Sequence, residues 1–71
     1  MTENNTPPPR LLRLKEVQER VGMSKTTIYD RMKTGAFPAA VHLGTMAAWV
    51  ESEVEGWILA RIAERDHGQA A

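Results

Sequence analysis

Apolar residues return at helical spacing through the first half of the chain and switch to short, strand-like runs after its middle. Leu14, Val17 and Val21 stand at i, i+3 and i+7 and predict a first helix from about Leu14 to Val21. Leu12 is placed to staple onto Val17, and Glu16 lies near the positive end of that helix. Gly22 ends it in the left-handed conformation that a Cβ would penalise, and Met23 then plugs the gap before the next element. Ser24 is a good N-cap for a second helix reaching about Thr34, which Gly35 closes in the same way. On its helical wheel Ile28, Met32 and Arg31 fall on the inward side. Thr26, Tyr29, Asp30 and Lys33 fall on the outward side.

Phe37-Pro38 turns the chain, and Ala40–Leu43 and Ala47–Val50 are short candidate strands around Gly44-Thr45, a hairpin-like wing. Two such strands are marginal unless something packs on them. A last helix is expected from about Glu51 to Arg65. It carries Val54, Trp57, Ile58 and Ile62 on one face, with Leu59 at the rim, and Ser52 with Glu55 three residues on could cap its start. Trp49 and Trp57 sit beside apolar neighbours at strand and helix spacing, which favours core packing over base stacking. The fold class is therefore mainly α with a small β-hairpin, three helices plus a wing, over residues 10–66. Residues 1–9 are polar and end in three prolines, so they read as a disordered Pro-rich tail, and 67–71 should fray.

Seventy-one residues allow one small domain, and such a chain buries only about 60% of its unfolded surface. The absence of cysteine excludes disulfides and thiolate metal sites and points to a reducing cytoplasm. No signal peptide is visible, and no apolar run approaches the roughly 18 residues of a membrane span. His42 and His67 lie too far apart, with no carboxylate at ligand spacing, to suggest zinc. A serine, His42 and Asp30 could be named as a triad, but one of each is expected by chance, and no Gly-rich phosphate loop exists. We therefore expect no enzyme activity, no cofactor and no small-molecule substrate.

A formal net charge of zero is unusual for a nucleic-acid binder, but the charge is unevenly placed. From Arg10 to Lys33 the bases Arg10, Arg13, Lys15, Arg20, Lys25, Arg31 and Lys33 outnumber Glu16, Glu19 and Asp30. Beyond that, Glu51, Glu53, Glu55, Glu64 and Asp66 outnumber Arg61 and Arg65. A basic front and an acidic back orient the domain in an anionic field. Leu12 to Lys33, two short helices about a tight turn, has the form of a helix–turn–helix. Ser24, Lys25 and Thr26 suit a helix start that approaches phosphates, and Thr26, Tyr29 and Lys33 can reach base edges. On spacing alone, an ordinary αα-hairpin with a solvated outer face fits as well.

The stretches RLLRLKEVQERVGMSKTTIYDRMKTGAFP, VHLG and AAWVESEVEGWILARI resemble the AlpA-type phage regulators, small relatives of excisionases with a MerR-like winged helix–turn–helix. The resemblance covers about Arg10 to Ile62. It implies a double-stranded DNA-binding regulator of a prophage or mobile element, controlling transcription, excision or both, and a cytoplasmic, nucleoid-associated location. Members typically carry a base where this chain has Asp30, Lys-Pro where it has Ala39-Ala40, and Arg near Met46. Asp30 could accept from cytosine N4 or simply bond Lys33 or Thr34 on its own helix. The expected DNA surface comprises Arg13, Lys15, Ser24, Lys25, Thr26, Tyr29, Asp30, Arg31 and Lys33, with Arg10 on the flank and a weak contribution from Thr45 and Met46 of the wing. A domain this small would need adjacent sites or self-association for specific control. The runner-up is a protein-interaction module that kept the fold and lost its DNA surface.

Overall fold

A computed structural model describes residues 9–68. The elements run β1 (Leu11–Arg13), α1 (Leu14–Val21), α2 (Lys25–Lys33), β2 (Val41–Leu43), β3 (Met46–Val50) and α3 (Glu51–Gly68). Helices α1 and α2 and the β2–β3 wing stand where the sequence placed them, and the architecture is that of a winged helix–turn–helix.

The local chemistry of each helix end accounts for its bounds. The Arg13 backbone N–H donates to Glu16 Oε1 at 2.9 Å, the carboxylate half of a capping box; an arginine side chain cannot accept the reciprocal bond. Gly22 sits at φ 70° and returns its N–H to Gln18 O, closing α1. Ser24 caps α2 by accepting from the Thr27 N–H at 3.2 Å. Gly35, at φ 78°, follows the Thr34 cap.

Three expectations are corrected. Leu11–Arg13 is a strand, so the wing belongs to a three-stranded antiparallel sheet in the order β1-β3-β2. A three-residue strand is too short to declare itself by alternation, and it forms because Leu12 pairs with Trp49 across the ladder. Ser52 is not a cap. The chain stays extended through Val50, the Glu51 N–H donates to Arg10 O at 2.7 Å, and α3 opens at once. Finally, α3 does not stop near Arg65 but continues through His67 to Gly68, while 69–71 and residues 1–8 of the expected tail lie outside the described residues.

Leu12, Val17, Ile28, Phe37, Trp49 and Val54 form the core, five of them fully buried. Each of the three helices and two of the three strands contributes to it, which explains how so short a chain closes a core at all. Trp57 is half-buried rather than central. Its Nε1 donates to Ala36 O at 2.7 Å and its ring lies edge-on to Phe37 at 5.0 Å, so it clasps the loop after α2 to α3. Beyond Ile58 the exposed residues of α3 include Leu59 and Ile62, at 64% and 41%. The apolar stripe thus outruns the core it was expected to cover. Among the described residues no helix is long and apolar enough to cross a membrane, and no group of three or more His, Asp or Glu could hold a metal ion.

The strand at the start of the domain sets a boundary for truncation. Removing residues 1–9 should leave the melting curve nearly unchanged, because β1 is spared. Removing residues 1–13 takes away a strand and the fully buried Leu12, and loss of a buried leucine alone costs roughly 2–5 kcal/mol. Thermal melts of the two truncations against the parent check this; coincident curves for all three would show that β1 contributes nothing.

Candidate nucleic-acid interface

Folding sorts the charges that the sequence leaves mixed. Arg20 reaches α3, with its guanidinium 2.8 Å from Glu51 and 3.1 Å from Glu55. Arg10 lies 3.4 Å from the same Glu51 and 3.7 Å from Glu16. Arg61 and Arg65 pair within α3, with Glu64 and Asp66. Arg10 and Arg20, counted with the basic front, are therefore neutralised by carboxylates, and Arg10 is a poor candidate for phosphate. Arg13, Lys15, Lys25, Arg31 and Lys33 have no carboxylate partner among the described residues. The solvent-facing pairs among these contribute little stability; the consequence of the whole set is where it leaves the cations that have no partner among the described carboxylates.

Three of those cations share one groove. An open cleft of about 680 Å³ is bounded by Arg13, Leu14, Lys15 and Gln18 from the first strand and helix. Lys25 and Tyr29 line it from α2, and Thr45, Met46 and Ala47 from the wing. Among the described residues no carboxylate lines it, so every formal charge on its wall is positive. The connectivity allows this placement: the short αα turn at Gly22–Ser24 folds α2 back against α1, so that Lys25 and Tyr29 line the same cleft as Leu14, Lys15 and Gln18, and the β2–β3 turn brings Thr45 and Met46 alongside.

The other expected residues divide. Ser24 stands at the head of α2, but its hydroxyl is already used, accepting from the Thr27 N–H and donating to Thr27 Oγ1 at 3.0 Å. Thr26, Asp30 and Lys33 are exposed on α2 outside the groove lining. Asp30 takes neither intrahelical bond considered for it among the described residues, and Thr34 Oγ1 donates to Arg31 O at 3.1 Å instead. Arg31, assigned to the inward side, is exposed and away from the groove, because the core closes over Ile28 and the half-buried Met32 without reaching it. Tyr29, assigned to the outward side, is half-buried with its ring edge-on to Trp49 at 6.1 Å. A tyrosine ring is long enough to rest on the core at its base and show its rim to the groove.

Gln18 is the groove residue that sequence reasoning missed. It sits one turn after Lys15, a spacing that places it on the same face as Leu14 and Lys15. Its amide supplies donors and an acceptor, the chemistry that reads adenine edges.

Residues 10–62 match the model of the family described as prophage CP4-57 regulatory protein (AlpA). The chain is 44% identical over 63 residues to a protein of Enterobacteria phage P4 described as uncharacterized protein ORF88, spanning 87% of this chain and 72% of that one. It is 34% identical over 65 residues to the DNA-binding transcriptional activator AlpA of Escherichia coli (strain K12), spanning 82% of this chain and 93% of that one. No solved structure matches.

Proposed function

The chain belongs to the family of the prophage CP4-57 regulatory protein (AlpA), and from that premise we propose that it binds double-stranded DNA in a sequence-specific way, as a transcription or excision regulator of a prophage or other mobile element. The observation that carries the reading is the groove, in which Arg13, Lys15 and Lys25 converge with no carboxylate among them.

In this reading the head of α2 approaches the duplex. The N–H groups of Lys25 and Thr26 belong to the helix's first turn and have no intrahelical acceptor, so they can meet a phosphate oxygen together with the Lys25 side chain. Arg13 and Lys15 hold the backbone on the α1 side. Thr26, Tyr29 and Gln18 are the groups placed to touch base edges, and Asp30 and Lys33 extend the exposed side of α2. Thr45 and Met46 bring the wing to the backbone with contact but no charge. Arg31 lies off this surface and makes at most a peripheral contact.

Footprinting on the DNA flanking its own gene, followed by affinity measurements over a salt series, tests the proposal. Affinity should fall linearly in log–log form with a slope near −3, since each neutralised phosphate adds about −0.9. A folded protein that protects no DNA, or whose binding ignores salt, would sink the proposal. The zero net charge and the neutral wing tip would then favour a protein-interaction module built on the same fold.

A further inference from the structure

Between Lys33 and Glu51 the chain has no formally charged residue, and this stretch contains both strands of the wing. In a chain that is 25% charged, only His42 can ionise there. β2 is an edge of the β1-β3-β2 sheet, and Val41, His42 and Leu43 are all exposed. Natural edge strands usually carry a lysine, a proline or a bulge that deters pairing with another chain. Beyond its three-residue length, itself a common restraint on an edge, Val-His-Leu, preceded by Ala39-Ala40 and followed by Gly44, carries no such guard, and its register with β3 runs unbroken.

The outer face of the sheet supplies a second, independent observation. The ladders set Leu11 beside Val50, Arg13 and Val41 either side of Ala48, and Leu43 beside Met46, so these seven share the face opposite Leu12 and Trp49. Arg13 is its one charged residue and lies on β1, the strand farthest from β2. Leu11, Val41, Leu43 and Met46 are 41%, 37%, 46% and 38% exposed. They leave roughly 300 Å² of apolar surface, about as much as the largest patch on an ordinary monomer.

We propose that β2 pairs antiparallel with β2 of a second copy of this chain, centred on His42, when two copies occupy neighbouring DNA sites. In that register Val41 of each copy lies across from Leu43 of the other. The apolar β2–β3 sides of the two outer faces then join, and no like charges meet while the two His42 imidazoles, which this register sets across from each other, are neutral. A strand paired about its own centre needs no complementary partner, which is why a second copy fits this edge better than a foreign chain. Area sets the strength. Three edge residues and a patch of this size fall well short of the ~800 Å² per partner of a stable complex. The protein is therefore a monomer when dilute, and the pair forms where DNA raises the effective concentration. The setting rests on the DNA-binding reading; the pairing itself does not.

The test has one arm without DNA and one with it. The intact protein is followed by amide NMR from micromolar to millimolar concentration. The amides of Val41, His42 and Leu43 should move with concentration, and the neutral variant V41Q/L43Q should show no such movement while its other signals stay in place. On a DNA probe with two adjacent sites the parent should bind the second site about tenfold or more tightly than a lone site. V41Q/L43Q should match the parent on the lone site and lose the gain on the paired one. Amides of β2 that stay fixed at every concentration overturn the pairing, even if DNA binding is confirmed. Moving β2 amides in a protein that binds no DNA would support the pairing and remove the DNA-binding reading instead.

Discussion

Replacing Trp49 with alanine should leave most of the protein unfolded at room temperature. The indole is fully buried on β3, pairs across the ladder with Leu12, and meets Tyr29 edge-on. Truncating a buried tryptophan costs ~3–5 kcal/mol. At ~0.05–0.15 kcal/mol per residue a domain of this length has only several kcal/mol in all. Trp49→Phe should behave very differently. Trp49 Nε1 is buried with no hydrogen-bond partner among the described residues, and an orphaned donor costs ~1–3 kcal/mol. Phenylalanine removes that donor and keeps an aromatic ring against Tyr29, so the gain offsets much of the lost volume. Urea and thermal melts of both variants decide the matter. A Trp49→Ala protein that melts with the parent would show that the indole does not organise the core.

The same residue shows what the sequence could and could not reveal. Helical spacing, Gly22, Ser24 and Gly35 are local signals, and they placed α1 and α2 within a residue of their bounds. The wing announced itself through Gly44-Thr45 and flanking apolar residues. β1 had no local signal of its own, since three residues cannot display a period; it exists because Trp49 and Leu12 meet across more than thirty residues of chain. The misplaced sides of Tyr29 and Arg31 have a related cause. A wheel assigns directions from one helix alone, while Tyr29 is drawn inward by a tryptophan on another element. Charge pairing was equally non-local. Arg20 looked like part of a basic front and instead faces Glu51 and Glu55 on α3. What survives of that front is smaller than the sequence total suggests, and more concentrated.

That concentration gives the largest expected effect on binding. Lys15→Ala and Lys25→Ala together should weaken binding to every DNA sequence by about 100-fold or more, because each charge-assisted phosphate contact is worth about tenfold or somewhat more. The slope of log affinity against log salt should fall in magnitude by about two. Arg31→Ala removes the same formal charge from the same helix as Lys25→Ala, yet Arg31 lies outside the groove, so its slope should stay within experimental error of the parent's. Long-range attraction alone would make these cations interchangeable, since all are exposed within one small basic segment. A groove that seats the duplex makes them unequal. If Arg31→Ala matches Lys25→Ala, the whole exposed face of α2 meets DNA and the groove is not the seat. If the paired lysine variant still binds like the parent, the protein's contacts lie elsewhere and the sorting of charge by folding has no bearing on DNA.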